Sequence, residues 1–596
     1  MKTQKSERYA LSSGIKVLLK SKAGRANLLF MLLLLLSLGT MVYYGSRKEG
    51  YHLDEVYSYG LANSEYLPFM HFGESGYDVK DWMLEYGAGE SIKDLLGNLW
   101  KDYQILKECD FKWKDSVIYQ DYLTAQVNSA DTRTSTWVSG QDYLDYVAVS
   151  ESNTFNYASV YYNQRGDVHP PLYYIALHTV CSFFPGSFSP WFGLFLNILF
   201  LMLTLVILYR MVRDYLGGET AAFIVTAVYG LSRGMMTTTV FLRMYALLTL
   251  IVVACCAVHI RIYSEDFKLK GKNTVFLILT VLGGYMTHYY FVIYAIGIAA
   301  VFVALIVVRR NWTVLLKYIL LLAATAVIGI CIWPFSIRHV FSGYRGTEAI
   351  QVLRAREFYL IKIRLMFQQI ATQVMGGRSW ILWLVLVVVV FVCIVKNVRR
   401  LPLEKGAIVF WPIVFYVVIV SQIVPLFVER YVMCAFPFMC LFVVEGVAFC
   451  VHKCLKGPWV KGGLAAAGLL LILQNNSYLN PPDNLNPGRQ ETVTLPDNTD
   501  CIYVLPEGDW NESAVDSTIL AQCRNVAVSY PSTLESLAKS YEYQHGDFVF
   551  IAIQKNMETE FVLQEVRRIF GLEGLEEVKQ WDGALAIQVL LFGEEP

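Results

Sequence analysis

The sequence predicts a polytopic α-helical membrane protein with about eleven transmembrane helices, ending in a small soluble α/β domain. Three observations predict this. Hydrophobic residues make up 55% of the 596 positions and charged residues only 17%, and mean hydropathy is +0.41, far above that of ordinary soluble proteins. Apolar runs of membrane-crossing length alternate with short basic loops. After the last run comes an Asn/Pro-rich stretch and then strand-like segments. Formal net charge is zero, so no electrostatic case for nucleic-acid binding arises. Aromatics reach 14%, which suits membrane interfaces.

The elements follow in order. Residues 1–25 carry seven basic residues (Lys2, Lys5, Arg8, Lys16, Lys20, Lys22, Arg25) against Glu7 alone, which places this segment in the cytoplasm. The run Ala26 to Gly45 reads as an uncleaved anchor rather than a signal peptide, because its apolar core is long and no small-x-small cleavage site follows. Further crossings are expected near 192–209, 219–234, 240–260, 274–288, 290–308, 314–335, 380–395, 406–426, 431–451 and 462–474. The basic loops between them fix the register: Arg210 to Arg213, Arg261 to Lys272, Arg309-Arg310, Lys396 to Lys405 and Lys453 to Lys461 all belong in the cytoplasm. Leu172 to Phe184 is too short to cross, and counting it would invert every later loop. It reads as an interfacial or re-entrant helix started by Pro170-Pro171. The transmembrane domain thus covers 26–474, with outer loops 46–170 and 336–378.

A third outer region, 475–596, opens on the linker Asn475-Asn476-Ser477 to Asn486-Pro487-Gly488. Strands are expected over Cys501–Leu505, Asp547–Ile553 and Ala584–Phe592, and an amphipathic helix over Glu558–Phe570, together enough for a small α/β domain. Most of the twelve cysteines fall in apolar spans, and no CxxC or Cys/His metal spacing occurs. Cys501 and Cys523 suit a disulfide in an extracellular domain, a pairing that sequence alone does not establish.

The candidate chemistry gathers on the outer side of this register. Asp54-Glu55, about ten residues past the first span, offers a general base that deprotonates an acceptor hydroxyl as it attacks a sugar carbon; the plain structural reading is a solvated acidic turn. Asp167-Val168-His169-Pro170-Pro171-Leu172 closes the first loop, with His169 a donor to phosphate and Asp167 its orienting partner, or simply a Pro-rich helix junction. Arg243, at the outer end of an apolar span, suits a phosphate or diphosphate leaving group, or snorkels to the interface. Arg233 fits either reading. His288 and Tyr289, between two spans, fit phosphate or a sugar hydroxyl, or a structural hydrogen bond. Arg430 binds phosphate or pairs with Glu429. Arg338, His339, Arg345, Arg354 and Arg356 read first as a solvated basic loop and second as substrate contacts.

Together these residues resemble the multispanning GT-C glycosyltransferases, in particular the protein O-mannosyltransferase-like branch that includes bacterial lipid-A aminoarabinose transferases. Four elements carry the resemblance: Asp54-Glu55, Asp167-Val-His-Pro-Pro-Leu172, Arg243-Met-Tyr-Ala246 and Arg430-Tyr431, spread over residues 26 to 451. It implies a polyprenyl-phosphate-linked sugar donor entering from the outer leaflet of the plasma membrane, and an acceptor that is lipid, glycan or protein. Asp54 would be the catalytic base with Glu55 beside it, His169 and Arg243 would lie near the donor phosphate, and displacement would invert the anomeric centre. Some relatives use a divalent metal and others none, so no cofactor is assigned. The aminoarabinose branch has Lys-Pro where this chain has His169-Pro170, and Asp near the position of Arg243. The C-terminal region lies outside the matched elements. Rival expectations are a lipid-linked glycan polymerase or ligase, a lipid-linked glycan transporter, and a membrane scaffold.

Overall fold

The computed structural model describes residues 22–69, 82, 85–86, 92–130, 136–341, 344–354, 359–378, 380–396, 403–485, 493–507, 509, 512–544, 546–583 and 586–592. The basic segment up to Lys20, Arg356 and the linker end Asn486-Pro487-Gly488 lie outside these residues. The chain divides into two compact units. One comprises 1–47, 168–173 and 193–484, and the other comprises 48–167, 174–192 and 485–596.

The first unit is helical. Seven helices among the described residues are long and apolar enough to cross a membrane: Gly24–Gly45, Pro190–Leu216, Tyr245–Ser264, Phe291–Val308, Trp312–Ile332, Glu404–Ile423 and Glu429–Cys454. The chain is an integral membrane protein. The other four expected crossings are also helices, three of them shorter than a full crossing and the fourth, Pro458–Asn475, long enough but less apolar. Glu219–Gly230 has 12 residues, Lys272–Tyr285 has 14, Trp380–Val395 has 16, and Pro458–Asn475 has 18. At 1.5 Å per residue a 12-residue helix spans about 18 Å, well under the hydrocarbon thickness.

Two of these early stops have visible causes. Glu219–Gly230 ends at Leu231, whose carbonyl accepts from Ser477 N–H at 3.1 Å, and Ser232 then caps a new helix, Arg233–Val240, by accepting from Met235 N–H. The stretch after the last helix thus crosses where a continuous span would otherwise run. It is fastened further by Asp483, which pairs with Arg233 and accepts from Gln373 Nε2 at 2.6 Å. Lys272–Tyr285 ends beside Gly283-Gly284, where a Cβ on Gly284 would lie 2.4 Å from the Phe291 ring. The turn that follows holds His288.

The second unit contains a six-stranded sheet: β1 Trp137–Ser139, β2 Thr499–Val504, β3 Asn525–Ser529, β4 Phe548–Gln554, β5 Glu576–Asp582 and β6 Ala586–Phe592, in the order β1-β3-β2-β4-β6-β5. β3, β2 and β4 are parallel and the other pairings antiparallel. The expected strands are β2, β4 and β6, and the expected amphipathic helix is Thr559–Ile569. Its Val562 and Val566, with Phe570, cover Ile502, Val504, Val549, Ile551, Val589 and Leu591 on one face of the sheet.

The opposite face is buried as well, with Cys501, Tyr503, Phe550 and Ala552 all inaccessible. First-loop helices supply much of this cover. Gly140–Val147 packs on Ser517–Leu520, and Leu53–Asn63 packs on Glu512–Asp516. Only glycine fits at 140, because a Cβ there would sit 2.0 Å from the Cys523 carbonyl oxygen. Cys501 and Cys523 are free thiols, buried beside each other and Tyr143.

Candidate active site

The sequence-derived candidates divide between the two units. His169, Arg243, His288, Tyr289 and Arg430 belong to the membrane-spanning unit, and Asp54, Glu55 and Asp167 to the other.

In the first unit, four stretches distant in sequence converge. Pro170 and Pro171 have no N–H, so the first free donor after His169 is Leu172, and it donates to Met286 O at 3.0 Å. That bond ties the His-Pro-Pro element to the turn carrying His288, and the two imidazole centroids lie 5.5 Å apart. Arg243 sits in the break between Arg233–Val240 and Tyr245–Ser264 and is 5% exposed. Asn197 holds this break by donating from Nδ2 to Thr239 O at 3.0 Å and to Phe241 O at 2.8 Å. Arg430 lies over the Tyr431 ring, 5.3 Å from its centroid. Tyr245 and Tyr290 flank His288, with ring centroids 5.8 and 4.9 Å away.

Burial, with the nearby charges of His169, Arg243 and Arg430, holds His288 neutral far below its ordinary range. Its tautomer follows from geometry. Nδ1 accepts Tyr290 N–H at 3.1 Å, so the ring proton is on Nε2. His288 is therefore a neutral donor next to two permanent cations, an arrangement that suits a phosphate group.

Tyr289 turns elsewhere. Its hydroxyl accepts from Trp333 Nε1–H at 2.8 Å and lies 2.8 Å from His339 Nδ1. Arg233 is paired with Asp483. In the basic loop, Arg345 pairs with Glu348 at 2.7 Å.

In the second unit, Asp54 and Glu55 open the Leu53–Asn63 helix, and their surroundings differ. His52 is the N-cap: its Nδ1 accepts Asp54 N–H at 3.1 Å, and its own N–H donates to Glu55 Oε2 at 2.7 Å. The Asp54 side chain is 30% exposed and that of Glu55 fully buried. Tyr146 packs on this helix where Gly60 leaves room, since a Cβ at 60 would lie 2.1 Å from the ring. Burial and then the charge of Asp167 raise the Tyr146 phenol well above its ordinary value. Asp167 itself caps the C-terminus of Tyr157–Gly166.

Sequence reasoning gave no role to Lys48, His52 or Tyr290, and it quoted Tyr245 and Tyr431 only as parts of the elements Arg243-Met-Tyr-Ala246 and Arg430-Tyr431. For His52 a signal existed: a polar residue three before Glu, at the start of an apolar helix, is a capping-box pattern. Among the described residues no group of three or more His, Cys, Asp or Glu side chains is arranged as a metal ligand set.

No family profile matches the chain, and no curated protein matches it. Among solved structures, it is similar to ArnT from Cupriavidus metallidurans bound to undecaprenyl phosphate, with 11% identity and a TM-score of 0.42 over 72% of this chain and 89% of that one. It is also similar to the apo state of the same protein, with 11% identity and a TM-score of 0.43 over 78% and 95%.

Proposed function

We propose that this protein is a membrane glycosyltransferase that moves a sugar from a polyprenyl-phosphate carrier to an acceptor on the extracytoplasmic face. One observation carries the reading: Arg243, Arg430, His169 and His288 gather from four separate stretches of the membrane-spanning unit. Two guanidiniums beside a neutral imidazole that donates through Nε2 form a donor set whose geometry and charge suit a phosphate group.

In the reaction, an acceptor oxygen bonds to the anomeric carbon as the bond from that carbon to the phosphate oxygen breaks. Asp54 takes the acceptor proton. The electron pair leaves with polyprenyl phosphate, whose growing charge is met by Arg243 and Arg430 and by the Nε2–H of His288. The anomeric centre inverts. Asp54 is assigned the base because it keeps solvent access at a helix start whereas Glu55 is enclosed.

The test uses purified protein in lipid with a panel of radiolabelled polyprenyl-phosphate sugars and an acceptor extract. Release of polyprenyl phosphate by wild type, lowered about 10²- to 10⁴-fold in Asp54→Asn, supports the reading and identifies the sugar. Release only from a lipid-diphosphate oligosaccharide would replace it with a glycan ligase.

A further inference from the structure

The stretch Lys48 to Glu55 carries a linked set of bonds that the reaction above does not use. Lys48 Nζ lies 2.9 Å from Glu55 Oε2, and the two side chains are 1% and 0% exposed. The same Glu55 oxygen accepts His52 N–H at 2.7 Å. The Tyr51 ring, 5.9 Å from the Lys48 ammonium, stacks on Phe188 at 4.9 Å, and Phe188 meets Tyr59 edge-on at 4.8 Å. Tyr59 in turn donates to Ser189 O at 2.8 Å.

A buried ion pair is a weak source of net stability, because desolvation consumes most of the Coulomb gain. Its use is geometric, and losing one partner is expensive because a charge is left buried. Here the geometry leads to a defined place. Lys48 holds Glu55, Glu55 holds the His52 amide, and His52 Nδ1 holds the Asp54 amide.

We infer that Lys48 and Glu55 are a positioning pair for Asp54, and that Asp54 alone of the acidic doublet exchanges a proton with substrate. The inference rests on the transferase reading for its catalytic meaning but not for its structural content. Glutamine at 55 still caps His52 but leaves Lys48 without the carboxylate charge. Methionine at 48 leaves the Glu55 charge without its ammonium. Making both changes removes the imbalance.

The experiment compares full-length wild type, Lys48→Met, Glu55→Gln, the double variant and Asp54→Asn in lipid nanodiscs. Amide hydrogen exchange is read over residues 50–58, and kcat and KM are read from polyprenyl-phosphate release. Each single variant of the pair is expected to speed exchange at 53–56 about tenfold and to lower kcat with little change in KM. The double variant is expected to return both readouts most of the way to wild type, while Asp54→Asn loses kcat with wild-type exchange. A double variant no better than the worse single one would overturn the pair. Loss of turnover in Glu55→Gln with wild-type exchange would also overturn it, by making Glu55 a group that meets substrate. If wild type releases nothing from any donor, the transferase reading falls, and the exchange data still decide the pair.

Discussion

The cationic group and the acidic corner are built by opposite strategies. His169, Arg243, His288 and Arg430 come from four stretches of chain, brought together by remote tethers such as Leu172 N–H to Met286 O and Asn197 to the Arg243 break. Lys48, His52, Asp54 and Glu55 lie in one short stretch closed by its own capping bonds. Yet the two share a device. In each, a histidine Nδ1 accepts the backbone N–H two residues on, which leaves the imidazole proton on Nε2. A locally closed corner keeps its shape through its own bonds, whereas the assembled group depends on packing far from the charges it presents.

That contrast can be broken most sharply at Arg243. Arg243→Leu removes a charged donor that nothing local replaces, and release of polyprenyl phosphate should fall about 10²- to 10³-fold, with hydrogen exchange over 50–58 unchanged. An equal loss from Arg243→Lys would show that bidentate geometry, not charge alone, is required. The tether is tested next. Leu172→Pro keeps a residue tolerated at a helix start but removes the donor to Met286 O, and activity should drop about tenfold through misplacement of His169. A wild-type rate in that variant would mean the assembled group is held by other contacts.

On the acidic side, Gly60→Ala puts a methyl into the buried Tyr146 ring and should cost about 1–3 kcal/mol of stability, read as a lower unfolding temperature. The smallest effects concern protons. His288 is neutral and already donates through Nε2, so His288→Gln, which keeps a donor, should lower turnover only about threefold and leave the pH–rate profile between pH 5 and 8 unchanged.

His178, buried in the second unit, is lowered from 6.5 to about 4 by burial. Its folded form binds fewer protons than its unfolded form in that window. Stability should therefore be complete above pH 6.5 and decline as pH falls toward 4, and His178→Phe should flatten that slope in a pH series of thermal unfolding.

Much of this architecture was legible in the sequence, and the failures have physical causes. All eleven apolar runs are helices. Four are too short or too polar to qualify as spans; in one of them, Glu219–Gly230, the break at Leu231-Ser232 is set by a later stretch of chain at Asn476-Ser477 that hydropathy does not register. β2, β4 and β6 announced themselves as apolar runs. β5 did not, because Glu576-Glu577-Val578-Lys579-Gln580-Trp581-Asp582 is an exposed edge with charges on it. β1 and β3 are too short to carry a period. For the site, charge-derived topology selected residues that do meet, namely His169, Arg243, His288 and Arg430. It could not separate Asp54 from Glu55, since adjacent positions on a helix point in different directions and burial is a tertiary property. Tyr289 was chosen for its neighbour His288 and instead bonds toward Trp333 and His339.

The three-residue strand β1 has a consequence for how the protein is made. It pairs with Asn525–Ser529, a segment that leaves the ribosome roughly four hundred residues later. At roughly 5–20 residues per second, Val138 and the helix that follows it wait on the order of a minute for the sheet they cover. During that interval the Gly140–Val147 helix lacks the cover that Cys501, Ser513 and Cys523 give Tyr143, so the early loop spends its first moments as a client in need of shelter. A nascent chain stalled before Asn525 would be left in that state, and removing the C-terminal segment would unroof the very loop that carries Asp54.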